Sequence, residues 1–151
     1  MLQSQGLLHD TYYYGVDAKQ IVPTFMYPTE IMDGAIVSGN CVAPCDKVTT
    51  YHHFHNEVID ECYKHHGKDI NFMGVILTNE NVFLADKERH SDMVAKFCEW
   101  LQLDGVLITE EGYGNPDTDL MMNCKKVERV GTKVCLCLLY TSDAADDSLR
   151  V

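Results

Sequence analysis

From about residue 50 onward, hydrophobic and polar positions alternate in blocks that change period. Thr50 is placed to cap a helix running to about His66, with Phe54, Val58, Ile59, Cys62 and Tyr63 recurring at helical spacing on one face. Gly67 suits its stop. Ile70 to Leu77 is a continuous apolar run with Gly74 inside it, the pattern of a strand buried on both faces. Asp86 to about Gln102 reads as a second helix, with Met93, Val94, Phe97, Cys98 and Leu101 inward. Gly105 to Ile108 reads as a second buried strand. Asn115-Pro116 opens a third helix, Asn as cap and Pro in the first turn. Leu120, Met121, Cys124 and Val127 form its stripe, Gly131 its stop, and Lys133 to Leu136 begins a third strand.

Strand, helix, strand, helix, strand at this spacing predicts right-handed βαβ units in a parallel sheet: an α/β chain, flavodoxin- or Rossmann-like, from about residue 50 onward. The segment before it reads as irregular and extended. Tyr12-Tyr13-Tyr14 and Val22 to Pro28 look extended, and two prolines with Gly15 argue against helix. Ile31 to Val37 fits either a short strand or a helical turn broken at Gly34, and Asn40 to Lys47 reads as a loop.

With 151 residues, 46% of them hydrophobic, the chain can bury one core of ordinary size. No apolar run approaches the ~20 residues that cross a bilayer, and the first residues lack the basic start and apolar stretch of a signal peptide. A net charge of −11 argues against nucleic acid, which needs clustered Lys and Arg. Seven cysteines, an odd number, predict reduced thiols and a cytoplasmic setting. Cys62, Cys98 and Cys124 fall on apolar helix faces and read as small buried hydrophobes.

The last segment breaks the pattern. Cys137 to Asp147 coincides with the translation of a common transposase-adapter sequence, so 137–151 reads as a sequencing scar rather than native protein. Removing its three aspartates and one arginine takes the net charge from −11 to −9. The chain is then the translation of a sequence that stops mid-gene.

In open α/β sheets ligands gather at the carboxyl ends of strands. Here those ends are Thr78-Asn79-Glu80-Asn81 and Thr109 to Asn115. The glycines of the second loop do not form a dinucleotide fingerprint, because Asp117 stands at its sixth position and Pro116 removes a donor N–H. Glu110 and Glu111 would repel a pyrophosphate; they suit an ammonium group, or are solvated loop acids. Cys41, Cys45, His52, His53 and His55 invite a zinc site, but their spacing matches no standard finger. Cys41 with Cys45 as a redox pair is another reading, and histidines on a helix surface or lining a site a third. His65 and His66 suit a helix C-terminal dipole, and Trp100 and Tyr12 to Tyr14 read as packing residues.

Cys41 stands directly after Gly39-Asn40 at the end of an apolar run, a position where the backbone can cut itself. The Cys41 thiolate would attack the Asn40 carbonyl to give a thioester. Elimination at Cys41 would then cut the chain and leave dehydroalanine, which hydrolyses to a ketone and ammonia. Gly39 would permit the bent backbone this needs.

The stretch Tyr27 to Cys41 resembles the pyruvoyl proprotein of component B of the glycine, sarcosine and betaine reductases. So do Cys45-Asp46-Lys47, Thr49 to His53, Thr78 to Val82, Leu84 to Arg89 and Glu110 to Asp117, in unbroken order from about residue 7 to 136. The D-proline reductase proprotein is a more distant likeness. The resemblance implies cleavage between Asn40 and Cys41, so that 1–40 ends the beta subunit and 41–136 begins the pyruvoyl-bearing alpha subunit. It implies a pyruvoyl cofactor made from Cys41, no nucleotide and no metal. A substrate amine would bind it as a Schiff base; from their chemistry rather than from the resemblance, Glu110 or Glu111 is expected to hold the ammonium, and His53 is a further candidate for the substrate site. It further implies reductive C–N cleavage to ammonia by a selenocysteine on a partner component B subunit. Selenoprotein A and component C would carry the product to acetyl phosphate, with thioredoxin as electron source, in the amino-acid fermentation of strict anaerobes. Glycine, sarcosine and betaine are not separated by these residues. A non-enzymatic α/β binding module with a structural Cys/His zinc site is the alternative.

Overall fold

In a computed structural model of the chain, which describes residues 2–4, 11–38, 50–79, 81–111 and 115–139, the apolar stripe expected to form one helix over 50–66 forms two. Helix α2 covers Thr50–Phe54 and α3 covers Glu57–His65. Asn56 is the reason. Its Oδ1 accepts from the backbone N–H of Val58 and of Ile59, both at 3.1 Å, so it starts a new helix rather than continuing the old one. The other two helices form near their expected bounds, α4 at Leu84–Trp100 and α5 at Asn115–Arg129.

The strands differ more from the pattern. The apolar run from Ile70 becomes strand β6 only at Val75–Asn79, and all five of its residues are buried. Strand β7 spans Gly105–Glu111 and β8 spans Lys133–Leu139, each three residues longer than expected at its carboxyl end. The two pair at seven consecutive parallel positions, Gly105↔Lys133 to Glu111↔Leu139, the last three of them with residues 137–139 of the segment read above as a sequencing scar.

The region before residue 50, expected to be irregular, holds five of the eight strands among the described residues. They are β1 (Leu2–Ser4), β2 (Thr11–Tyr13), β3 (Val16–Asp17), β4 (Thr24–Met26) and β5 (Ile36–Ser38), with helix α1 at Pro28–Met32. Segments of two or three residues carry no readable period; β1, β4 and β5 are strands because partners distant in sequence pair with them, while β3 is the return of a hairpin with β2. Two sheets result. One runs β4-β6-β1-β7-β8, the other β3-β2-β5. In the larger sheet β6, β1, β7 and β8 are parallel, and β4 lies antiparallel along β6. The chain is thus mixed α/β, and its larger sheet uses residues from both sides of position 50.

Alternate residues of β6 serve two cores. Val75 and Leu77 join Met26, Ile31, Ile36 and Ile59, whereas Ile76 joins Val94, Cys98 and Val127 beneath α4 and α5. Each such fully buried Leu or Ile side chain contributes about 1.5–3 kcal/mol. Cys98 and Cys124 are buried as expected and Cys62 is half-buried. Burial pushes the Cys98 thiol up to about 11, so it stays protonated and inert. Trp100 does not pack as expected. It is 66% exposed, with Lys96 Nζ 4.2 Å from its ring centre. Tyr14 is also exposed, its hydroxyl donating to Glu30 at 2.8 Å. Among the described residues no helix is long and apolar enough to cross a membrane.

Candidate active site

Strand order fixes where a ligand crevice can form. Strand β1 has β6 on one side and β7 on the other, and the chain passes from β6 through α4 to β7 across it. In open α/β sheets such a change in strand order places ligands at the carboxyl edge; a cavity of about 730 Å³ lies at the opposite edge, beside Gly74, Val75, Gly105 and Val106. Register sets the level of the residues there. Leu2 stands opposite both Leu77 and Thr109, so Asn79, Ser4 and Glu111 end their strands at the same height.

Around the end of β6 the side chains are polar and buried. Asn79 is 2% exposed; its Nδ2 donates to the Ala18 carbonyl at 2.8 Å, and its Oδ1 lies 2.8 Å from His90 Nδ1. An amide oxygen can only accept, so Nδ1 of His90 carries the proton. On the far side of the same loop, Lys87 of α4 pairs with Asp119 of α5, both nearly fully buried. The Asp119 carboxylate also accepts the backbone N–H of Asn81. Burial holds the Asp119 carboxyl above its ordinary value, against the lowering effect of Lys87 and of that N–H.

Burial also lowers the pKa of His90, so the folded protein keeps its imidazole neutral where an unfolded chain would protonate it. As pH falls below about 6.5, the unfolded state takes up a proton the folded state resists, and stability falls until the lower folded pKa is reached. Melting curves at pH 7.5 and 5 should therefore show a smaller acid-induced loss in His90→Gln than in the unsubstituted chain. Equal losses would remove His90 as the cause.

Glu110 and Glu111 lie within β7 rather than in the loop after it, and their side chains fall outside the described residues. Asn40, Cys41 and Cys45 also lie outside the described residues. His53 is buried on α2, whereas His55 is exposed and stacked on Tyr51 at 4.2 Å, so the two histidines face different surroundings. Among the described residues no group of His, Cys, Asp and Glu side chains is arranged to hold a metal. His65 stands in the last turn of α3, where the helix dipole acts on it, and its Nδ1 also lies 2.9 Å from Asp69, whose carboxylate raises its pKa.

The segment 39–49 is anchored at both ends. Strand β5 leads into it, α2 leads out of it, and α2 packs against both β5 and α1. Phe54 of α2 sits over the turn at Gly34, where an added Cβ would meet its ring at 3.1 Å.

Lys87, His90 and Asp119 were not singled out by sequence reasoning, although a signal exists. Lys87, His90, Ser91, Val94 and Cys98 share one stripe of α4, as Asp119, Asn123 and Val127 do on α5, so charged residues occupy positions that the helical period assigns to the core.

Comparison with known proteins adds a second line. A family model described as glycine/sarcosine/betaine reductase component B subunits matches residues 1–147. The chain is 79% identical over 136 residues to a sarcosine reductase complex component B subunit alpha of Peptoclostridium acidaminophilum, an alignment covering 90% of this chain and 32% of that protein. It is 66% identical, over the same shares, to glycine reductase complex component B subunits alpha and beta of that organism. To its betaine reductase complex component B subunit alpha the identity is 39% over 131 residues, 87% of this chain and 30% of that protein. The chain thus spans about a third of the length of these relatives. No solved structure matches it.

Proposed function

Because the chain belongs to the family of glycine/sarcosine/betaine reductase component B subunits, we propose that it is a section of the substrate-binding, pyruvoyl-bearing precursor of such a reductase. In this reading the backbone is cut between Asn40 and Cys41, and Cys41 becomes the pyruvoyl group. That group supplies an electrophilic ketone to a substrate amine.

The observation that carries the reading is the double anchoring of 39–49 by β5 and α2. A cut there leaves each new end attached to an element that stays packed on the other. The sheet gives the same support: β1 and β4 precede the cut, and β6 and β7, to which they are hydrogen-bonded, follow it. The piece before the cut is therefore held by its strands within a sheet shared by both pieces. The parallel run β6-β1-β7-β8 supports a flavodoxin- or Rossmann-like description of that sheet.

The chain's own residues then have distinct tasks. His53, buried on the helix next to the cut segment, lines the pocket for the amine substrate. Glu110 or Glu111, at the carboxyl end of β7, holds the substrate ammonium; as neighbours in a strand they face opposite sides of the sheet, so one of the two serves the site. The partners are a selenocysteine-containing component B subunit, selenoprotein A and, indirectly, component C, in the cytoplasm of an amino-acid-fermenting anaerobe. Higher identity to the sarcosine reductase relative than to the glycine reductase one makes sarcosine the first substrate to assay.

The test uses the full-length component. One of Glu110→Gln and Glu111→Gln should raise the amine concentration for half-saturation about tenfold, or about 1.4 kcal/mol. Unchanged half-saturation in both variants would remove the two glutamates from the site.

A further inference from the structure

We propose that Lys87 and Asp119 form a positioning pair that fixes the loops at the carboxyl edge of the larger sheet around the substrate site. The inference rests on the functional reading above. Lys87 lies one turn into α4 and Asp119 one turn into α5, the helices that follow β6 and β7. Their ion pair ties the start of one helix to the start of the other. Asp119 reaches further, because it accepts the N–H of Asn81 in the loop between β6 and α4. Asn79 holds the near end of that loop, through Ala18 and His90. The connection is thus held at two points, Asn79 to the first part of the chain and Asn81 to α5, which are themselves joined by Asn81 Nδ2 donating to the Asn79 carbonyl at 3.4 Å.

A stability role alone does not explain this arrangement. Two ions buried in this way cost desolvation that their attraction only partly offsets, and apolar residues of similar volume commonly fold as well. Burial acts on Asp119 in that sense, as it raises the carboxyl's pKa despite the lysine beside it. One turn further along α5, Asn123 Oδ1 is buried without a hydrogen-bond partner among the described residues, a second polar cost in the same helix seam. Lower in the seam, Val94 and Val127 pack without polar groups. Lys126 of α5 adds a second link to α4, at 2.6 Å from the Glu88 carbonyl and from Asp92, but Asp92 is exposed; the buried ion pair stands at the end next to the β6–α4 loop, where it sets the position of Asn81.

The apolar double replacement separates positioning from folding. In the full-length component, Lys87→Met with Asp119→Leu should leave the melting temperature unchanged or higher. Hydrogen exchange at the Asn81 amide should become at least tenfold faster. Half-saturation by sarcosine or glycine should rise about tenfold, with turnover at saturation within about twofold. Unchanged exchange, or faster exchange with unchanged half-saturation, would overturn the proposal. If the double variant does not fold, Asp119→Ala, which removes the acceptor for the Asn81 N–H, is read by the same two measurements. An unsubstituted component that captures no amine would remove the functional reading and the positioning role with it, while the exchange arm would still report whether the pair holds the loop.

Discussion

Cys41→Ala in the full-length polypeptide is expected to give one uncut chain, no carbonyl reactive to hydrazine, and amine-dependent reduction at background, a loss of at least about 10³-fold. The chemistry leaves little room for a partial effect. Without the thiol no acyl shift can form the thioester at Asn40, so nothing activates the bond between Asn40 and Cys41. Without elimination at residue 41 no ketone is made, and no other side chain is a carbonyl electrophile. The fold should be unaffected, because the elements on either side of 39–49 pack on one another independently of residue 41. Near-normal melting alongside lost carbonyl and lost activity would therefore be the signature. A variant that still cuts would place the chemistry elsewhere.

The largest effect expected on folding comes from Gly74→Ala. Gly74 adopts φ +156 as the chain enters β6, and a Cβ there would lie 2.4 Å from Phe25 Cζ and 2.8 Å from the Met26 carbonyl oxygen. Phe25 can swing aside only by leaving its place near Phe97, 6.5 Å away between ring centres. The Met26 oxygen is backbone in β4, whose register puts Met26 opposite Val75, so it moves only if that pairing opens. Overpacking of this kind costs up to about 3 kcal/mol. Urea unfolding of the 151-residue chain should show a correspondingly lower midpoint with unchanged slope. A midpoint within error of the parent would mean that β4 yields easily at this edge.

What was legible in the sequence divides along physical lines. Helices α4 and α5 have stripes long enough to show a period and form close to where it puts them; strands β6 to β8 form in the expected order, but with bounds shifted by their pairing. Strands β1 and β4 are three residues each, too short to show a period, yet β1 occupies the middle of the larger sheet. Their pairing is decided by residues more than 45 positions away, which no local pattern records. The break between α2 and α3 was readable in principle, since Asn56 is a strong cap; the apolar stripe on both sides of it was the louder signal. At the candidate site, composition pointed to the exposed-looking acids Glu110 and Glu111, and in the structure both stand in a strand paired with β8. The buried polar groups Lys87, His90 and Asp119 were hidden because core stripes are read by their apolar members.

The central claim is that this family's backbone is cut between Asn40 and Cys41 to make its own electrophile. Intact-mass analysis of the full-length protein tests it directly. The account predicts two chains whose boundary falls between residues 40 and 41, the second beginning with a pyruvoyl group in place of Cys41. A single uncut chain in which Cys41 is alkylated as a free thiol would contradict it.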